Sequence, residues 1–148
     1  RIESYIQMAL DEGAELVVDG RGFSLQGYEE GFFLAPTLID RVTPQMKSYQ
    51  DEIFGPVLTM IPYDSVDEAV EIANDTEYGL AAYVQSSSLE KAREIASKLR
   101  AGNVNLNGAG QTPNLPFGGY KKSGNGREWG AHGFADYLEI KAVAGFEE

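Results

Sequence analysis

LAAYVQSSSLEKAREIASKLRAGNVNLN, residues 80–107, changes its hydrophobic period twice within one stretch. Leu80-Ala81-Ala82-Tyr83-Val84 is a short apolar run of strand length. Ser87-Ser88-Leu89-Glu90 has the form of a capping box, in which a serine hydroxyl and a glutamate carboxylate each satisfy a free backbone donor at a helix start. The helix that follows carries Leu89, Ala92, Ala96 and Leu99 on one side and the pairs Glu90/Arg93 and Glu94/Lys98 on the other, and Gly102 stops it. Asn103-Val104-Asn105-Leu106-Asn107 returns to a period of two. Strand, helix and strand in this order predict a βαβ unit with a parallel strand pair, hence an α/β fold.

Working outward, Val57-Leu58-Thr59-Met60-Ile61 is a nearly continuous apolar run fenced by Pro56 and Pro62, as expected of a strand covered on both faces. Ser65-Val66-Asp67-Glu68 reads as another capping box, opening a helix with Val66, Ala69, Val70 and Ala73 on its apolar face. Two successive βαβ units would place the three strands in one parallel sheet. Before them, apolar residues at 2, 5, 6, 9 and 10 predict a helix ending near Gly13, followed by strands at Glu15–Val18 and Phe32–Ile39. Gly20, Gly22, Gly27 and Gly31 between these strands read as loop punctuation. After them, residues 108–126, GAGQTPNLPFGGYKKSGNG, have no period at all, and a loop that long inside a compact domain is usually functional or mobile. A short helical stretch near Gly133–Tyr137 and a half-exposed strand at Leu138–Val143 complete the chain.

At 148 residues the length fits a single domain with a real core. The net charge of −11 repels phosphate backbones and anionic membrane surfaces, so neither nucleic acid nor membrane is an expected partner. No apolar run approaches a bilayer span and no leader-like segment opens the chain, which leads us to expect a cytoplasmic protein. With no cysteine there is no disulfide framework, thiolate site or cysteine nucleophile within these residues. Several motifs fail on inspection. Gly119–Gly124 lacks the lysine of a phosphate-binding loop at the required place, and Gly124-Asn125-Gly126-Arg127-Glu128 reaches Trp129 where a dinucleotide fingerprint needs glycine. His132, the single histidine, reads as a surface loop residue, and no metal site is expected. Asn74 reads as a cap rather than a glycosylation acceptor. Asn107, at the carboxyl end of its strand, either lies on a wet strand face or points into a crevice where α/β folds gather ligands.

One set of residues is more specific. Asp51-Glu52-Ile53-Phe54-Gly55-Pro56-Val57 resembles a signature of the NAD(P)-dependent aldehyde dehydrogenase superfamily. Gly31–Leu38, Ala73–Ala82, Leu99–Asn107, Pro116–Gly124 and Gly126-Arg127-Glu128 follow the same family's motifs in the same order. The resemblance covers essentially the whole chain. It implies the C-terminal portion of the catalytic domain, a single domain over 1–148 with an oligomerisation strand within 137–148, while the dinucleotide-binding domain and the nucleophilic cysteine lie outside the chain.

The resemblance also implies roles. Glu52 would accept hydrogen bonds from the nicotinamide-ribose hydroxyls of NAD or NADP, and Phe54 would pack beside the nicotinamide ring. Phe117 and Asn107 would belong to the substrate tunnel of a small-molecule aldehyde, and the small side chains of Gly108–Thr112 imply room for a bulky or aromatic one. Arg127, Glu128 and Glu139 would serve the subunit interface of a homo-oligomer, dimer or tetramer. The parent would oxidise an aldehyde to a carboxylic acid through a cysteine thiohemiacetal, whereas the isolated chain would be inactive and would self-associate through uncovered apolar surface. The alternative is a stand-alone, non-catalytic α/β binding or assembly module.

Overall fold

The structure is a computed structural model of the chain, and it describes residues 1–145. The described residues gather into two compact units, Arg1–Tyr63 and a second one from Asp64 onward.

The first unit contains α1 (Ile2–Asp11), β1 (Glu15–Val18), β2 (Thr37–Asp40), α2 (Lys47–Gln50) and β3 (Val57–Thr59). The spacing of α1 puts Ile6 and Ala9 fully inside, and Gly13 ends the helix in a left-handed conformation with φ 102°, a geometry that glycine adopts without a Cβ penalty. β1 pairs antiparallel with β2, and β2 pairs parallel with β3, Thr37 opposite Val57 and Ile39 opposite Thr59. Ala9, Ala14, Ile39, Val42 and Met46 form the core, with Leu16, Tyr49, Val57 and Ile61 packed against it.

The second unit contains α3 (Val66–Asn74), β4 (Ala81–Val84), α4 (Leu89–Lys98), β5 (Asn103–Leu106), a 3-10 turn at Lys121–Ser123 and α5 (Gly130–Ala135). β4, α4 and β5 form the βαβ unit, with the strands parallel and in register from Ala81 opposite Asn103 to Val84 opposite Leu106. Ser65 Oγ accepts from the Glu68 N–H, and the Glu68 carboxylate accepts in turn from the Asp64 N–H at 2.7 Å. The second cap sits one residue later than expected. Ser88, not Ser87, accepts from the Lys91 N–H, so the helix begins at Leu89.

Four expectations are corrected. The three central strands do not share one parallel sheet: β3 belongs to the mixed three-stranded sheet with β1 and β2, while β4 and β5 form a sheet of their own. Hydrophobic period identifies strands but carries no information about which edge each one meets, and here Met60 N–H closes onto the Ile39 carbonyl. β3 is not covered on both faces, since Leu58 is 63% exposed. The strand expected from Phe32 begins only at Thr37; Pro36 offers no N–H to a ladder. Among the described residues, 138–145 form no strand, and Ile140 is 99% exposed. The remainder of the segment expected to hold the oligomerisation strand, 146–148, lies outside the described residues. Gly20 is also more than punctuation. A Cβ there would stand 1.8 Å from the Ala35 carbonyl oxygen, where the two backbones are bonded.

Candidate functional site

The segment Asp51–Val57 leads from α2 into β3 and is fixed from three directions. The Tyr5 hydroxyl donates to the Asp51 carboxylate at 3.1 Å, and the Arg1 guanidinium donates to the Glu52 carbonyl at 3.3 Å. Ile53 is buried, with 8% of its surface exposed. The Pro56 carbonyl accepts from the Thr37 N–H, tying the turn to β2. Between these anchors Phe54 takes φ 57°, a conformation that a bulky side chain reaches only against a steric cost of about 1–2 kcal/mol. The anchors enforce the flip: with Ile53 pulled inward, Phe54 is left 78% exposed. The exposed Glu52 keeps its carboxylate free of hydrogen bonds from the described residues. A free carboxylate therefore sits two positions from a bared aromatic ring, on a backbone that packing holds in place. This pairing of an acceptor with a ring suits a flat heterocycle carrying neighbouring hydroxyls.

In the second unit, residues 116–129 form a loop closed at its base by Phe117 and Glu128, whose N–H and carbonyl groups exchange two bonds of 2.7 Å. Arg127 fills the interior of the loop. Its Nη1 donates to the carbonyls of Gly119, Asn125 and Gly126, and its guanidinium lies 5.4 Å from the Tyr120 ring centre. Lys121 Nζ donates to the carbonyls of Asn74 and Thr76 at the end of α3, and the Asn103 amide bridges from β5 to the Leu80 and Gly118 carbonyls. The glycines allow this backbone-on-backbone packing: a Cβ on Gly102 would come within 1.7 Å of the Gly118 oxygen. The Lys122 ammonium pairs with Glu77, and that hydrogen bond holds its pKa above the usual lysine value.

Phe117 rests against Trp129, ring centres 5.7 Å apart and tilted by 41°. The pair lines a cavity of about 200 Å³ with Asn103, Asn105, Gln111 and Leu115. Trp129 also takes a left-handed φ, 64°, at 45% exposure. No sequence signal marked it beyond its being the single tryptophan. Asn107 follows β5 at φ 50°, and its Oδ1 accepts from the Ser86 N–H at 2.8 Å. It thus bridges the ends of two strands and is not among the residues lining that cavity. Arg127 and Glu128 belong to the closed loop, while Glu139 lies exposed in the segment after α5. Asn74 bonds through its amide to the Lys98 carbonyl and the Arg100 N–H, joining the ends of α3 and α4. Among the described residues no group of His, Cys, Asp or Glu is placed to hold a metal ion, and no helix is long and apolar enough to cross a membrane.

Residues 1–143 match the aldehyde dehydrogenase family. The chain belongs to the aldehyde dehydrogenase family. It is 51% identical to a 3-succinoylsemialdehyde-pyridine dehydrogenase of a Pseudomonas species over 99% of its length, which is 31% of that relative. Its fold matches a Pseudomonas syringae aldehyde dehydrogenase C mutant, complexed with NAD+ and octanal, at a TM-score of 0.92 and 54% identity, covering 99% of this chain and 30% of that one. A Mycobacterium tuberculosis aldehyde dehydrogenase complexed with NAD+ matches at 0.85 and 43% identity, over 93% of this chain and 28% of that one. The chain thus spans under a third of the length of these aldehyde dehydrogenases.

Proposed function

We propose that this chain is the C-terminal portion of the catalytic domain of an aldehyde dehydrogenase. In this reading the whole protein oxidises an aldehyde to a carboxylic acid through a cysteine thiohemiacetal. NAD or NADP supplies the hydride acceptor. The observation that carries the reading is the pairing at the turn into β3, the free Glu52 carboxylate with the bared Phe54 ring on strained backbone. The NAD+ complexes of the two solved relatives support it.

Glu52 accepts hydrogen bonds from the two ribose hydroxyls, and Phe54 confines the nicotinamide ring, so that the distance to the reacting carbon is fixed before hydride transfer. Both side chains act by orientation, and neither moves a proton. Phe117 forms an aromatic wall of the substrate tunnel. Asn107 stands at its end with the nitrogen of an amide whose oxygen already holds Ser86. Arg127, Glu128 and Glu139 serve the interface of a homo-oligomer, in which the segment within 137–148, whose described residues form no strand in the single chain, pairs as a strand with a second subunit.

In the full-length enzyme, Glu52→Gln and Phe54→Ala should weaken cofactor binding and slow hydride transfer while leaving the fold intact. Unchanged cofactor affinity in both variants would refute the assignment. The isolated 148-residue chain should show no aldehyde oxidation and should self-associate in light scattering. Turnover by that chain alone would overturn the reading as a whole.

A further inference from the structure

The sequence contains two Asn-Gly steps, Asn107-Gly108 and Asn125-Gly126. At such a step the backbone nitrogen of the glycine can attack the asparagine side-chain carbonyl carbon. A C–N bond forms, ammonia leaves, and a cyclic succinimide results; water then opens the ring to aspartate or isoaspartate. No oxidant or cofactor takes part. Glycine favours the reaction because it has no side chain to crowd the attacking nitrogen.

The fold treats the two steps differently. The Asn107 amide is pinned across the strand ends, its Oδ1 accepting from the Ser86 N–H at 2.8 Å, and ring closure must first release it. Asn125 lies exposed in the bend between Gly124, at φ 93°, and Gly126. Among the described residues its side chain has no hydrogen-bond partner; both glycines, Gly108 and Gly126, stand in open space beyond their chain neighbours, so the side-chain bond is what separates the two steps. We propose that Asn125 is a site of spontaneous deamidation and isomerisation, and that it reports the age of the folded protein at the loop that carries Phe117.

The position gives the modification a consequence. The Asn125 carbonyl oxygen lies 3.2 Å from Arg127 Nη1, which also holds the Gly119 and Gly126 carbonyls. In isoaspartate the chain continues through the former side-chain carbon, and the main-chain carbonyl becomes a free carboxylate. Arg127 then faces a full negative charge where it had a neutral acceptor, while the loop is longer by one methylene group. Charge-assisted bonds are the stronger ones, so the guanidinium is drawn toward residue 125 and away from Gly119, loosening the closure beneath Phe117 and Trp129.

The test is peptide mapping by mass spectrometry of the folded protein carrying this chain, incubated at mildly alkaline pH beside a sample kept in denaturant. Labelling by an isoaspartyl methyltransferase separates isoaspartate from aspartate. In the folded sample Asn125 should lose ammonia at least about five-fold faster than Asn107, the factor corresponding to one net hydrogen bond, and the difference should collapse in denaturant. Equal rates in the folded sample, faster loss at Asn107, or no loss at Asn125 while the denatured control reacts would each overturn the proposal. Asn125→Gln should abolish the early product, and the Trp129 emission of aged protein should drift only where Asn125 is present. Emission that drifts equally in Asn125→Gln would refute the link to the loop.

Discussion

The turn at 51–56 and the loop at 116–129, whose one regular stretch is the 3-10 turn at Lys121–Ser123, are held by opposite means. The turn is held by side chains: Ile53 in the core, Tyr5 on Asp51 and Arg1 on the Glu52 carbonyl. The loop is held through backbone groups: Arg127 and Asn103 gather its own carbonyls, Lys121 ties it to the carbonyls at the end of α3, and glycines let the chain touch itself. Backbone groups withdrawn from water need partners, and where no strand or helix provides them a cationic side chain can serve several at once. The first device leaves two side chains free at its tip. The second places an aromatic pair against a cavity.

The largest effect is expected at the glycine contact. Gly102→Ala places a methyl on the Gly118 carbonyl, and neither backbone can yield, so we expect a loss of about 3 kcal/mol or more in chemical denaturation followed by Trp129 fluorescence. Ile53→Ala attacks the turn through its buried anchor and should cost about 2–4 kcal/mol, with the greatest loss of amide protection at 51–57. Arg127→Ala removes a charged donor from three carbonyls and should cost about 2 kcal/mol. Arg127→Lys should recover part of it, since an ammonium keeps the charge and loses the fork. Equal destabilisation by both Arg127 variants would show that the planar fork is essential rather than the charge alone.

Phe54→Gly should act in the other direction. The glycine relieves the left-handed strain of an exposed residue, and stability should rise by about 1 kcal/mol even as the proposed contact with the nicotinamide ring is lost. A fall in stability would mean that the Phe54 ring is a structural contact after all. The smallest effect concerns the exposed Asp19–Arg21 pair. The side-chain hydrogen bond from Arg21 holds the Asp19 carboxyl below the usual carboxylate range. Its contribution is therefore present above the ordinary aspartate pKa and is lost as the pH falls through the lowered folded value. Asp19→Asn should flatten that acid limb slightly, measured as the thermal midpoint against pH.

Much of the fold was legible because it rests on local physics. The period of α1, the βαβ order of residues 80–107 and the serine caps each follow from the residues that carry them. Two of the four corrections at the strands come from pairing. The apolar run at 57–61 identified β3 but could not say that its edge partner would be β2, because an edge offers the same N–H and C=O groups to any strand. The strand expected after Gly133 has no partner within the described chain, and a strand without a partner has no ladder to form.

The site divides along the same line. From the sequence alone came the family resemblance and the proximity of Glu52 and Phe54 along the chain, since two positions apart in sequence cannot be far apart in space. The sequence also marked 108–126 as aperiodic and glycine-rich. Only the tertiary structure decided that Phe54 turns outward at φ 57° while Ile53 goes in, that Arg127 closes the loop on three carbonyls, that Trp129 backs Phe117, and that Asn107 is engaged where Asn125 is free. The reason is that a residue type fixes what a side chain can bond, whereas the partners it meets, and the backbone strain it accepts to meet them, depend on segments far away in the chain.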